Sequence, residues 1–228
     1  LVADYSQIEL RILAHLSGDS GLVDAFANDV DIHAATAARV NAVDLDQVTD
    51  EMRRASKMIN FGLLYGMEAY GLAQRLDIDR AEAQQHIDGY FAQFPEVKAY
   101  MAGIVEEARS CGYTTTILGR RRYLPELNSP NARDRQMGER MALNAPIQGS
   151  AADIIKKAMI ELDERLRRGG YAAQVILQIH DELVIEVPLD ELETVTAITV
   201  ETMQGVATLN VPLKVAYGVG RTLADAGH

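Results

Sequence analysis

Arg53, Lys57, Phe61 and Tyr65 recur at every fourth position of the segment 53–66. Residues four apart lie one above another on a helix, so two cations are followed by two aromatic rings along a slowly turning face. Such a face could grip a triphosphate, a sugar and a base in that order. A helix docked by its aromatic end, with its basic end in solvent, would carry the same stripe, and this segment alone leaves both readings open. A second chemistry is acidic. His180, Asp181 and Glu182 stand between two apolar β-like runs, where a hairpin ordinarily turns on Asn-Gly or Asp-Gly. Three ionisable groups with no glycine weaken the turn, which points to a role beyond chain reversal. Asp4 is the counterpart at the other end of the chain, a carboxylate ending the run Leu1-Val2-Ala3, with Glu9 five residues on. Either acid alone is more often a cap or a solvated turn residue. As a pair at the ends of buried strands they could hold a hard cation such as Mg²⁺, which takes oxygen ligands and accepts one or two carboxylates plus phosphate oxygens.

The elements that must position these groups follow from periodicity. The spacing predicts helices over 8–16 and from 31–33 onward, and a helix bearing the stripe, capped by Thr49 or Asp50 and weakened at its end by Gly62 and Gly66. Asp79 suits the cap of a helix that closes before Pro95, and 96–110 reads as another, stopped by Gly112. The runs 113–118 and 121–124 around Gly119 form a small hairpin. A long helical pattern from about 132 to 168 contains Pro146, which lacks the N–H and clashes with the preceding turn, so a kink or break is expected near 144–146. Strands are expected at 174–179, 182–187 and 213–219, with a helix over 189–206. A helical middle flanked by strand-bearing ends is an α+β arrangement with an inserted helical lobe.

Composition narrows the class. With 228 residues, 48% hydrophobic and 24% charged, the chain can build a full core. No apolar run approaches a membrane span and no basic leader precedes a hydrophobic stretch, so a protein neither secreted nor embedded is expected. The lone Cys111 cannot form an internal disulfide or a thiolate zinc cluster, which suits a reducing cytoplasm. The balance of 22 basic and 33 acidic residues, net −11, argues at first sight against a nucleic-acid partner. Distribution counts for more: Arg120, Arg121, Arg122, Arg133, Arg135 and Arg140 make a locally basic region, while 181–193 is acidic. That pattern fits a basic cleft on an acidic body, or an Arg-rich hairpin making surface ion pairs.

Asp4-Tyr5-Ser6-Gln7-Ile8-Glu9-Leu10-Arg11 resembles motif A of family A DNA polymerases, of the bacterial DNA polymerase I type. The segment 53–66 resembles their motif B, and His180-Asp181-Glu182 their motif C. Asn144-Ala145-Pro146-Ile147-Gln148-Gly149 is similar to a further family segment near the primer-template. The four occur in family order and cover nearly the whole chain. The resemblance implies a right-hand polymerase palm, a mainly antiparallel sheet with helices, and an inserted, mostly helical fingers lobe. The expected division is palm 1–10, fingers 11–132 and palm 133–228.

It also implies roles. Asp4, Asp181 and Tyr5 would hold two Mg²⁺ ions, replaceable by Mn²⁺, for nucleotidyl transfer from dNTPs to a primer 3′-OH. Glu182 would be an accessory acid. Arg53 and Lys57 would hold the triphosphate, Lys57 also countering charge on the leaving group, with Gln7 and His33 as helpers. Phe61 would pack on the sugar, Tyr65 border the nascent pair, and Glu9 crowd the 2′ position. Arg140, Asn144, Gln148 and His180 would contact primer-template DNA. Simpler roles exist for some of these: a core or capping His33, and Asn144 and Gln148 satisfying backbone groups freed by Pro146. The implied setting is a cytoplasmic, nucleoid-associated bacterial enzyme, monomeric and without a membrane partner.

The chain departs from the family in ways that carry expectations. It opens abruptly in a strand-like run and reads as a fragment without thumb, first palm segment or exonuclease domain, hence without proofreading or 5′-nuclease activity. Palm strands that would flank Asp4 are expected to be missing, and the family's Trp near the C-terminus is absent. The rival readings are a metal-dependent phosphohydrolase, a clamp that only binds DNA, and a single-subunit RNA polymerase. The first needs more histidines than the five present, the second leaves Asp4 and Asp181 unexplained, and Glu9 as a sugar gate disfavours the third.

Overall fold

The strand Val2–Tyr5 (β1) opens the chain and is followed by helices Ile8–Ser17 (α1), Ser20–Ala27 (α2), Ile32–Asn41 (α3), Asp50–Leu64 (α4), Ala69–Leu76 (α5), Arg80–Gln93 (α6) and Pro95–Cys111 (α7). The hairpin Tyr113–Thr115 (β2) and Arg121–Tyr123 (β3) leads into Ala132–Gly169 (α8), then Gln174–Ile179 (β4), Glu182–Glu186 (β5), Leu192–Gly205 (α9), Val215–Gly218 (β6) and Leu223–Ala226 (α10). This is a computed structural model, and it describes residues 1–227. The α+β class expected from sequence holds. Among the described residues no helix is long and apolar enough to cross a membrane.

Packing divides the chain into two units, Leu1–Ile8 with the chain from Ser150 onward, and Glu9–Gly149. These divisions differ from the expected 10/11 and 132/133. The first half of α8 packs with the helical unit: Ala142 joins Ala108, Leu124 and Leu127 in one buried cluster, and Glu139 pairs with Arg109 at 2.7 Å.

The first unit is built on an antiparallel sheet of order β4-β5-β1-β6. Its register sets Val2 opposite Val184, Ala3 opposite Leu183 and Asp4 opposite Glu182 on one side, and Asp4 opposite Ala216 on the other. Strand β1 is therefore central and paired on both sides, which corrects the expectation that the strands flanking Asp4 would be missing. Val2, Ala3 and Tyr5 are buried to 1% exposure or less, so apolar burial fixes the strand that carries Asp4. Helix α9 packs on β1 and β6. Ala226 of α10 closes on Val2 and Val184, in a chain end that has no Trp.

Of the kink or break expected at Pro146, the break does not occur: α8 is one helix of 38 residues with the proline inside it. Proline in a helix interior costs about 3 kcal/mol through one lost bond and a clash. Ala142 and Ile147 on either side are buried to 2% or less, and fully burying a side chain the size of Ile contributes about 1.5–3 kcal/mol, enough to hold the backbone on its course.

In the helical unit, α3 packs on α4, where His33 tilts against Phe61 and Asn60 meets His33 and Thr36. Thr49 Oγ1 accepts from Met52 N at 3.2 Å and sets the start of α4. Tyr65 ends it, and Gly66 follows at φ +70°, a backbone that L side chains rarely adopt.

Candidate functional site

The acidic cluster lies in the sheet unit. Directly opposed residues of an antiparallel pair project from the same face, so the register brings Glu182 alongside Asp4. Asp181 precedes β5, and its carbonyl accepts from Tyr5 N at 3.3 Å, so both expected metal-binding aspartates sit at the same end of β1 and β5. The hairpin from Ile179 to Glu182 turns on His180 and Asp181, with His180 at φ +54°. A left-handed residue other than glycine costs about 1–2 kcal/mol, confirming the weak turn that the sequence suggested. The exposed His180 has its carbonyl held by Gln178 Nε2 at 2.8 Å.

Tyr5 donates its hydroxyl to Met203 O at 2.6 Å from a site 1% exposed. Burial, with Glu161 nearby, pushes its ionisation far upward. The phenol is thus committed to the fold, and Tyr5 has only its main-chain carbonyl to offer a metal. Among the described residues no three His, Cys, Asp or Glu side chains form a group able to hold a metal by themselves. Mg²⁺ does not require one, since it keeps waters and takes substrate phosphates alongside one or two carboxylates. Asp4, Asp181 and the Tyr5 carbonyl are an all-oxygen set that fits it.

The basic-aromatic stripe lies in the helical unit. Arg53 Nε donates to Asp31 Oδ2 at 2.7 Å, while Asp31 Oδ1 accepts from His33 N at 2.9 Å and Ala34 N at 3.1 Å. One carboxylate thus caps α3 and ties it to α4. Partial burial works to raise the Asp31 pKa, but the Arg53 bond and the two N–H bonds outweigh it and hold it below the ordinary value. Lys57 is exposed and has no ion pair among the described residues. His33 is 2% exposed and tilts against Phe61 with ring centroids 5.7 Å apart. Burial, reinforced by Arg53 and Lys57 and opposed by Asp31, lowers its pKa from 6.5 to about 4. Its burial is that of a core histidine, with little of the ring open to a ligand.

Tyr65 donates its hydroxyl to a Glu9 carboxylate oxygen, joining the end of α4 to the first turn of α1. Gln7 sits at φ +55° in the link between β1 and α1. Arg140, Asn144 and Gln148 step by four along α8, so the three expected DNA contacts share a face. The stem of Arg140 lies against Gly66, where an added Cβ would meet its Cγ at 3.3 Å. Asn144 Oδ1 is buried without a hydrogen-bond partner, and Gln148 is exposed. Arg120 of the Arg-rich hairpin donates to Gly149 O at 3.0 Å.

Sequence reasoning missed Asp31 as the clamp on Arg53, and Asn60, itself bonded to Thr36, as the partner of His33. An Asn inside a helical run was the available signal, because its side chain competes with helical backbone bonds unless it is engaged elsewhere.

Comparison with known proteins accounts for the motif order. The chain is 54% identical over 224 residues to DNA polymerase I of Bacillus caldotenax, covering 98% of this chain and 26% of that protein. It is 52% identical over 228 residues to DNA polymerase I of Mycobacterium tuberculosis, covering all of this chain and 25% of that protein. It therefore spans about a quarter of the curated relatives it matches. The solved POL domain of Pol1 from M. smegmatis, in complex with DNA primer-template and dNTP, superposes at a TM-score of 0.96 with 49% identity, over 100% of this chain and 40% of that one. The family model for DNA polymerase family A matches residues 1–225, and the chain belongs to that family.

Proposed function

We propose that this segment is the catalytic part of a template-directed DNA polymerase that adds deoxynucleotides from dNTPs to a primer 3′-OH. The observation that carries the proposal is the β1–β5 register, which gathers Asp4, Asp181 and Glu182 at one end of a sheet whose burial fixes them. Its support from outside is that close relatives are DNA polymerase I and that a solved relative holds primer-template DNA and dNTP. In this reading the sheet unit is palm and the helical unit fingers, within a longer monomeric chain that supplies the thumb. Its setting is the bacterial cytoplasm, at the nucleoid.

Two Mg²⁺ ions, or Mn²⁺ in their place, would be held by Asp4, Asp181 and the Tyr5 carbonyl, and would supply activation of the primer 3′-oxygen and stabilisation of the departing pyrophosphate. The chain's own groups do the rest. Lys57, exposed and uncommitted, is free to meet phosphate charge and to counter charge on the leaving group. Arg53 exchanges its half-exposed partner Asp31 for a phosphate, an exchange of one charge-assisted bond for another. Gln7 assists, the buried His33 helps from behind through its packing on Phe61, Glu182 is an accessory acid, and Phe61 packs on the sugar. Glu9 excludes a 2′-hydroxyl by bulk, and Tyr65 holds its carboxylate in place. Arg140, Asn144, Gln148 and His180 bind primer-template backbone and base edges.

The test is Asp4→Asn and Asp181→Asn in the parent polymerase. Each keeps shape and removes a metal-ligating charge, so nucleotide addition falls at least ~10³-fold while DNA affinity is retained. Near-normal extension by either variant at ordinary Mg²⁺ refutes the proposal.

A further inference from the structure

The start of α2 holds a carboxyl group that helix capping uses only by half. Asp19 is 0% exposed. Its Oδ1 accepts from Gly21 N at 3.0 Å and from Leu22 N at 3.2 Å and so caps the helix. Its Oδ2 is buried as well, and no donor among the described residues reaches it. The acid within hydrogen-bonding reach of Asp19 is Glu96, in the first turn of α7. Two ionised carboxylates offer each other only lone pairs, whereas one proton between them makes a charge-assisted hydrogen bond. Burial, followed by Glu96, raises the Asp19 pKa from 3.8 against the pull of the two N–H bonds. Glu96 is exposed, and the unpaired N–H groups of the first turn of α7 favour its charge, so the proton belongs to Asp19.

We propose that the buried Asp19 keeps its proton and donates it to Glu96, a carboxyl clip that fastens the start of α2 to the start of α7 and loosens as pH rises and the proton leaves. Helix α2 packs on α3, α3 on α6 and α6 on α7, so the clip closes a ring of four helices. The ring includes α3, which carries Asp31 and packs on α4, and a proton on Asp19 thereby tightens the frame on which the basic-aromatic stripe is mounted. Other groups face the site. Arg39 of α3 lies over Gly21, where an added Cβ would strike its Nη1 and stand 3.3 Å from Asp19 Oδ1. It is a cation that works against the proton, yet it makes no ion pair with Asp19 among the described residues, and its guanidinium stands 5.6 Å from the centre of the Phe94 ring. Tyr90 of α6 is buried, and burial together with Asp19 keeps it a neutral phenol. From α1 comes Ser17, whose hydroxyl donates to Leu13 O and accepts from Asp19 N. Asp24, further along α2, is exposed.

The test is a ¹³C titration of the parent polymerase carrying ¹³Cγ-aspartate, with Asp19 assigned from the signal lost in Asp19→Asn. The expected result is a midpoint above 3.8 that drops by at least about one pH unit in Glu96→Gln, whose amide donates to Oδ2 in place of the proton. Hydrogen exchange read by mass spectrometry, corrected for the intrinsic effect of pH, supplies a second readout over α2 and α7. Protection falls as pH rises from 3.8 through the midpoint, because the folded chain holds a proton that the opened chain has released, and each pH unit of upward shift is about tenfold in the opening equilibrium. In Asp19→Asn the amide N–H takes the place of the acid O–H while Oδ1 still caps, so that fall is absent and protection at neutral pH exceeds that of the unmutated protein. Should Asp19→Asn not fold, Glu96→Gln, at an exposed position, decides by both readouts. An Asp19 midpoint at or below 3.8, a midpoint that Glu96→Gln leaves in place, or a fall in protection that survives Asp19→Asn overturns the proposal.

Discussion

Replacing Asp31 separates the two tasks of one carboxylate. Its Oδ1 caps the first turn of α3 and its Oδ2 holds Arg53, so Asp31→Ala removes both while Asp31→Asn keeps a good cap and removes the charge. A side-chain cap contributes about 1 kcal/mol. The ion pair joins side chains 43% and 39% exposed, so solvent screening holds it to roughly 0.5 kcal/mol. The expected losses are about 1.5 kcal/mol for Ala and about 0.5 kcal/mol for Asn. In a unit of this size they correspond to Tm drops of roughly 3–6 °C and 1–2 °C. Thermal unfolding followed by circular dichroism, at low salt and at about 1 M, measures both, and the small Asn deficit closes at high salt. The pH dependence follows from the lowered Asp31 pKa, where burial is outweighed by the Arg53 and backbone bonds. A depressed carboxylate contributes fully above its unfolded value and loses that contribution as pH falls through the folded one, so wild type and Asp31→Asn converge below the ordinary value of 3.8. Equal losses in Ala and Asn, or an Asn deficit indifferent to salt, refute the division into cap and pair.

Tyr5→Phe deletes the bond to Met203 O and leaves that buried carbonyl without its donor, so stability falls by about 1–2 kcal/mol while the Mg²⁺ concentration needed for activity is unchanged; a raised Mg²⁺ requirement would make the phenol a ligand after all. Tyr65→Phe removes one hydrogen bond to the Glu9 carboxylate, and discrimination of dNTP over rNTP, read as a ratio of kcat/KM, drops by less than in Glu9→Ala; no change in either variant removes Glu9 from the sugar site. His33 stays neutral to a pKa of about 4 in the folded chain but titrates near 6.5 when unfolded. The unfolded state therefore binds more protons between those values, and stability declines by up to about 3 kcal/mol as pH is lowered through the window. His33→Gln removes that slope, and a slope that survives the substitution belongs to another group.

Local chemistry in the sequence was enough for the elements and for the residue types of the site. The four-residue stripe of Arg53, Lys57, Phe61 and Tyr65, the caps at Thr49 and Asp79, the turn at Gly119 and the strain at His180 all depend on residues close in the chain. Interactions of that range are governed by backbone geometry and helical or strand periodicity, which a single sequence displays. What joins distant segments was decided by tertiary packing. The pairing of β1 between β5 and β6, the unbroken course of α8 through Pro146, and the passage of its first half into the helical unit each depend on buried surface contributed by residues far away in sequence. The same holds for single side chains. Nothing near Asp31 in the chain announces Arg53, 22 positions on, and nothing near His33 announces Asn60, 27 positions on. A buried polar group must find a partner, but which partner it finds is set only when two helices have docked.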